Sequence, residues 1–279
     1  MNIIGLGKAG CKIVDLFSEY PQYKIFKFDS DKELEDKENC YNIPFQQSAE
    51  LYDANPMDLS NLSNELDEDE EVYFVLCGSG KVSACTLWIL KSISDRKINI
   101  VYIKPDTSTM DNKSVLRNRA HFHILQEYTR SGVFNKMFIF DNNSLSNIVG
   151  KTSILNFYPK INQLVATSIH WLNIYRNSDT VFDTFGDKYI SSRIATLSVI
   201  NLDLKQDLDC YDIKNVNQIE YFFGVNRTRI EDDEELFDTL VEISSSDSEG
   251  KSISFGVYST DLEEGFSFCL KSSSEIQSE

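Results

Sequence analysis

Two glycine-rich turns, each placed between a short apolar run and an amphipathic segment, constrain the fold of this chain more than any other feature. The first is Ile3-Ile4-Gly5-Leu6-Gly7-Lys8-Ala9-Gly10, and the second is Val75-Leu76-Cys77-Gly78-Ser79-Gly80-Lys81. The apolar residues before Gly5 suit a buried strand. After Gly10, residues Ile13, Leu16, Phe17 and Tyr20 recur at the spacing of one helix face. Glycine at such a junction allows a tight turn and a close approach of phosphate oxygens to backbone amides. The helix start adds unpaired N–H groups and a positive dipole end. Gly5, Gly7 and Gly10 also satisfy the G-x-G-x-x-G spacing, and a second strand, Lys24–Phe28, ends in Asp29, where a ribose-binding acid follows in dinucleotide-binding domains. Two such turns in one small domain predict two walls around one polyphosphate.

Composition narrows the partners. A net charge of −17 argues against a nucleic-acid-binding surface, which needs clustered Lys and Arg against phosphates, and equally against an anionic membrane surface. The acidic runs Asp67–Glu71 and Glu231–Glu235 read as solvated faces. Cysteines 11, 40, 77, 85, 210 and 269 form no C-x-x-C pair and no metal-ligand spacing, the pattern of free thiols in a reducing cytosol. His121 and His123 are two apart and do not share a helix face. The chain enters a strand by its third residue, which predicts no signal peptide. No apolar run approaches the roughly eighteen residues of a membrane-spanning helix. A cytoplasmic protein is expected.

Strands and helices alternate through the first half. Strand candidates are Asn2–Gly5, Lys24–Phe28, Val72–Leu76, Ile98–Ile103 and Met137–Phe140. Helix candidates are Gly10–Tyr20, Val82–Ile93 and Lys113–Thr129. This is a parallel, doubly wound pattern, with its ligand expected at the carboxyl ends of the strands. Residues 36–65 are polar and irregular and predict loops with one short helix. A helix from Pro159 to Tyr175, with proline in its first turn, is apolar over much of its circumference and should be mostly buried. Strands then follow near Ile194–Leu202, Glu220–Val225, Ser252–Tyr258 and Gly265–Leu270, with an acidic helix at Asp232–Ile243 and a hairpin closing the last two strands. The expected organisation is α/β. A parallel, doubly wound nucleotide-binding domain spans 1–158, a central helix 159–178, and a smaller α+β C-terminal domain 179–271. A Ser/Glu-rich disordered tail covers 272–279.

The order of these motifs resembles the tubulin/FtsZ family of GTP-dependent filament proteins over almost the whole chain. Gly5-Leu6-Gly7-Lys8-Ala9-Gly10-Cys11 looks like that family's first phosphate loop, and Phe28-Asp29-Ser30-Asp31 like its second-strand turn. Ala54-Asn55-Pro56 and Ile103-Lys104-Pro105 resemble its ANP and TKP motifs. Ile139-Phe140-Asp141-Asn142-Asn143-Ser144-Leu145 is similar to its IPNDRL turn, and Ile253-Ser254-Phe255-Gly256-Val257 to the wording before its last strands. The resemblance implies that the amides of Gly7, Lys8, Gly10 and Cys11 meet the α/β-phosphates and that Gly78, Ser79, Gly80 and Lys81 wrap the β/γ-phosphates. It implies that Asn142 contacts the sugar or base and that Asn162 reads the guanine edge. The ligand so implied is GTP or GDP, with or without Mg2+.

Two departures bear on chemistry. The family's long GGGTGTG loop is here a shorter, glycine-poorer Cys77–Cys85, where Lys81 either substitutes a charge for lost amides or no γ-phosphate is gripped. The family's catalytic N-x-D-x-x-D, which reaches the next subunit's nucleotide, is matched by Phe182-Asp183-Thr184-Phe185-Gly186-Asp187. Asp187 stands at the second acid and Asp183 is one residue displaced from the first. The reading is a filament protein that stacks head-to-tail with itself, binds GTP between protomers and hydrolyses it weakly. It has no nucleic-acid partner, no membrane insertion and no apolar tail peptide for membrane-anchored division partners. The resemblance places it in the cytoplasm of a bacterium, an archaeon or a phage-infected cell. Two alternatives stand beside it: a nucleotide-free scaffold or filament regulator, and an NAD(P)-dependent oxidoreductase built on Gly5, Gly7, Gly10 and Asp29.

Overall fold

The computed structural model describes residues 1–279 except 32–37, 109, 187–191, 247, 264 and 279. Its first half is a parallel sheet. β1 (Asn2–Leu6), β2 (Lys24–Asp29), β3 (Cys40–Asn42), β4 (Val72–Cys77), β5 (Ile98–Lys104) and β6 (Lys136–Asp141) lie in the order β3-β2-β1-β4-β5-β6. β1, β4 and β5 are near-continuous apolar runs because both faces are covered, as parallel sheets require. One face carries α1 (Gly7–Asp15), α6 (Asn142–Val149) and α7 (Ile154–Arg176). The other carries α2 (Ala49–Ala54), α3 (Leu62–Glu65), α4 (Thr86–Ser92) and α5 (Asn112–Arg130).

The sheet continues without a break. β7 (Phe182–Asp183), β8 (Ile194–Asn201), β9 (Gln206–Asp209), β10 (Gln218–Asn226), β11 (Ser252–Thr260) and β12 (Phe266–Ser273) extend it in the order β6-β8-β12-β10-β11-β7, and β9 folds back on β8. The junction is short: Met137 pairs with Ile194 and Phe138 with Ala195, in parallel. α8 (Arg227–Asp232) and α9 (Leu236–Ser245) follow β10, and Leu236, Leu240 and Ile243 pack under the C-terminal part of the sheet. The expected architecture of a parallel α/β half, a long connecting helix and a smaller α+β half is what the chain adopts. No helix among the described residues is long and apolar enough to cross a membrane.

Four local expectations are corrected. The long helix begins at Ile154, so Pro159 stands in its second turn rather than its first. Proline is tolerated there because that end of α7 is exposed. The Leu155 carbonyl, which its missing N–H would have met, belongs to a residue 87% exposed to water. The last two strands do not form a hairpin: β11 pairs in parallel with β10, and β12 pairs antiparallel with the other edge of β10. β10 is buried over nearly its whole length, so both its edges need a partner. The stretch 36–65 contains β3 and two short helices among its described residues. The Ser/Glu-rich tail is not loose through Ser278. Ser272 and Ser273 complete β12, and Gln277 is buried, its main-chain N–H and C=O both bonded to the side-chain amide of Gln126 on α5.

Candidate functional site

β1 and β4 are hydrogen-bonded neighbours in register, with Leu6 opposite Leu76. The two glycine turns therefore leave adjacent strands at the same level, about 5 Å apart, the separation of paired strands. The register continues from Cys77 to Ile103 and from Lys104 to Asp141, so the turn before Asn142 lies on the same edge.

The first turn is built from main chain. Gly7 opens α1 in the left-handed region, at φ +70, which an L side chain adopts only under strain. A Cβ at Gly7 would meet nothing within 4 Å, so the space above it is open. A Cβ at Gly10 would stand 2.4 Å from the Val75 carbonyl oxygen, so the helix start rests directly on the β4 backbone. Leu6 precedes the helix and provides no side-chain cap. The first-turn N–H groups thus have no capping side chain, and Lys8 is exposed beside them. Cys11 turns inward. Its thiol is 3.5 Å from the Gly5 carbonyl and 3.6 Å from that of Phe28, and burial pushes its pKa up to about 12. Only its amide is placed to serve a ligand.

The second turn is braced by side chains. The Ser83 hydroxyl lies 2.6 Å from the Gly80 carbonyl and 3.0 Å from that of Gly78, drawing the turn closed ahead of a short 3-10 segment, Val82–Cys85. The Ser79 hydroxyl is 3.4 Å from the Cys77 sulfur. A Cβ at Gly78 would fall 2.0 Å from the Tyr102 hydroxyl, which donates to Asn118 Oδ1 at 2.8 Å. His121, one helical turn along α5 from Asn118, holds the Arg117 carbonyl at 2.9 Å. Burial keeps its pKa below the usual value, against the carbonyls of Arg117, Ser83 and Gly78, which favour the protonated ring. Gly80 is exposed with nothing within 4 Å of a would-be Cβ, and Lys81 donates to the Gln47 carbonyl at 2.9 Å. Open glycines on both turns, an uncapped helix start and two nearby lysines fit a polyphosphate. Ser83, Tyr102, Asn118 and His121 were not among the expected site residues. Only Asn118 carried a sequence signal, a polar residue in the buried stripe of α5 with Phe122 and Leu125.

Asn142 opens α6, half-buried, while the preceding Asp141 caps that helix through the Asn143 amide and lies 3.5 Å from Lys104. Asn162 is half-buried on α7, which packs against both α1 and α6. Asp29 ends β2, its carboxylate accepting the Ser30 amide at 2.8 Å, and burial raises its pKa. Asp183 is not brought to this edge. α7, about 34 Å long, runs from the α6 end of the sheet to Arg176, which lines a cavity of about 890 Å³ with Tyr73 and Lys97 at the amino ends of the strands. Asp183 lies beyond that end on β7, its two carboxylate oxygens accepting from the Thr180 hydroxyl and the Phe185 amide. Asp187 lies outside the described residues. The groups around the cavity bond largely to one another: Glu71 to Lys97 and Asn99, Asn135 to Asn99, and Arg193 to the Asn135 carbonyl.

No protein-family model matches the sequence, and no curated protein matches it. Solved structures do. The chain is similar to an empty FtsZ dimer from M. jannaschii, with TM-score 0.70, 12% identity, and 98% of this chain and 87% of that one covered. It is similar to a GTPγS-form protofilament of TubZ from Bacillus thuringiensis serovar israelensis, with TM-score 0.72, 14% identity, and coverage of 97% and 86%. It is also similar to TubZ-Bt in a helical model of its four-stranded filament, with TM-score 0.73, 15% identity, and coverage of 97% and 85%. The chain has the tubulin/FtsZ-like fold from end to end.

Proposed function

We propose that this chain is a tubulin/FtsZ-like cytoskeletal protein that binds GTP between protomers, stacks head-to-tail and hydrolyses the nucleotide weakly. The observation that carries the reading is the pair of glycine turns leaving neighbouring strands in register, with open space above Gly7 on one and Gly80 on the other. The amides of Gly7, Lys8, Gly10 and Cys11 take the inner phosphates. Gly78, Ser79, Gly80 and Lys81 flank the outer ones, with Lys81 leaving the Gln47 carbonyl to supply charge. Asn142 holds the sugar or base, and Asn162 accepts and donates at the guanine edge. The bound nucleotide supplies a phosphoanhydride whose cleavage depends on positioning and charge neutralisation. Asp187, with Asp183 as second choice, is the acid offered to the nucleotide of the next copy, since Asp183 lies far from the turns of its own chain. A contact that joins two different faces and does not close yields a filament.

The nucleotide-free scaffold is the second reading. It is favoured by the tie between Lys81 and Gln47 and by the engagement of both Asp183 oxygens within their own turn. Light scattering beside phosphate release decides between the two. The lead reading expects polymer with GTP, turnover that rises steeply with protein concentration, and longer-lived polymer in Asp187→Ala. Polymer that forms equally without nucleotide, with no phosphate released, selects the scaffold.

A further inference from the structure

α5 has a second apolar face. Phe122, Leu125 and Thr129 are buried against the sheet, yet Leu116, Ile124 and Tyr128 are exposed, at 60%, 41% and 42%. The exposed Ala120 completes the same four-residue spacing. Residues so spaced stack into one ridge, the unit by which two helices interdigitate. The helix carries Lys113, Arg117, Arg119 and Arg130 against the single acid Glu127, in a chain of net charge −17. α9 is its counterpart. Phe237 and Val241, four apart, are exposed beside Asp238 and Glu242, and the acidic run Glu231–Glu235 leads into them. No basic residue occurs from 231 to 245.

The two helices lie on the same side of the sheet. Val216 packs against both the cluster under α5 and the cluster under α9. Along β8, Ile194 belongs to the first cluster and Ile200 to the second, an even separation that keeps them on one face.

We propose that this side of the molecule is an interface between two copies of the chain, related by a two-fold axis, with α5 of each copy seated on α9 of the other. Under a two-fold axis, residue i meets j and j meets i, so one pair of complementary faces is used twice. The apolar ridges form the centre and the opposite charges the rim, the usual anatomy of a specific contact. The charges also fix which helix meets which, because two α5 faces, like two α9 faces, repel. No residue of the two glycine turns lies in this contact, so it is expected to form without nucleotide; Phe237 also rests edge-on against Phe182 of β7.

Sedimentation velocity on the full chain without nucleotide tests the proposal. The wild type is expected to dimerise, and raising salt should weaken the dimer because its rim is ionic. Ile124→Glu should weaken it at least tenfold, about 1.4 kcal/mol. Reversing the α5 charges with Lys113→Glu and Arg117→Glu should dissociate it, and adding Glu234→Lys and Asp238→Lys should restore it. Oxidising a mixture of Ala120→Cys and Val241→Cys proteins should trap a mixed dimer, and neither variant alone should crosslink. A wild type that stays monomeric up to roughly 100 μM overturns the proposal. So does a dimer indifferent to both Ile124→Glu and the charge reversals, or crosslinking by Ala120→Cys alone.

Discussion

The two glycine turns look alike in sequence and are built differently. The first is held by main chain: Gly10 against the Val75 carbonyl, and Gly7 in a left-handed conformation at an uncapped helix start. The second is held by side chains: Ser83 across its two carbonyls, Tyr102 and Asn118 beneath Gly78, and His121 against the same loop. A main-chain cradle cannot be adjusted without moving strands. A side-chain cradle can be retuned one substitution at a time. The first turn therefore depends on glycine at Gly7 and Gly10, whereas the shape of the second is set by Ser83, Tyr102 and Asn118.

The contrast makes its largest prediction at Gly10. Gly10→Ala places a methyl 2.4 Å from a backbone oxygen with no flexible neighbour to move, and should cost about 3 kcal/mol in urea unfolding. If the loss stays under about 1 kcal/mol, the first turn is not main-chain-locked. Gly78→Ala meets a side-chain hydroxyl instead and should cost about 2 kcal/mol, part of it regained when Tyr102→Phe is added. Strict additivity of the two changes would mean that Tyr102 does not shape the turn. Third, acid should weaken the brace under the second turn. His121 is neutral when folded because its pKa is lowered, so below about 6.5 the unfolded chain takes up the proton first. Stability should then fall with pH by up to about 1.4 kcal/mol per unit for this group, and a shallower slope in His121→Gln would identify it. Last, Gly80→Ala should be neutral within about 0.5 kcal/mol, since a Cβ there meets nothing within 4 Å.

The parts of the fold that could be read in advance are those set by local pattern. β1, β4 and β5 announce themselves as near-continuous apolar runs, and the strand–glycine–helix order gives a parallel sheet. What could not be read is set by distant partners. Alternation along β11 and β12 does not encode that both would choose β10. Ser/Glu-rich composition at the tail says nothing of the Gln126 amide that pairs with the Gln277 backbone. Pro159 suits a first turn, but the exposed residues from Ile154 extend the helix before it. The site divides likewise. The glycines were legible because backbone geometry demands them, whereas Tyr102, Asn118, His121 and Ser83 become visible only once β5 and α5 are laid beneath the second turn.

The central claim is that both turns face one guanine nucleotide, and calorimetric titration of three proteins tests it most directly. Wild type should bind GTP and GDP and prefer them to ATP and NAD. Gly7→Ala, which strains the first turn by about 1–2 kcal/mol and fills the open space above it, should weaken both guanine nucleotides alike. Lys81→Ala should weaken GTP roughly tenfold to a hundredfold and GDP much less. A wild type that binds NAD and neither guanine nucleotide, or none of them at millimolar concentration, contradicts the claim. Equal small losses for GTP and GDP in Lys81→Ala would leave the second turn outside the site.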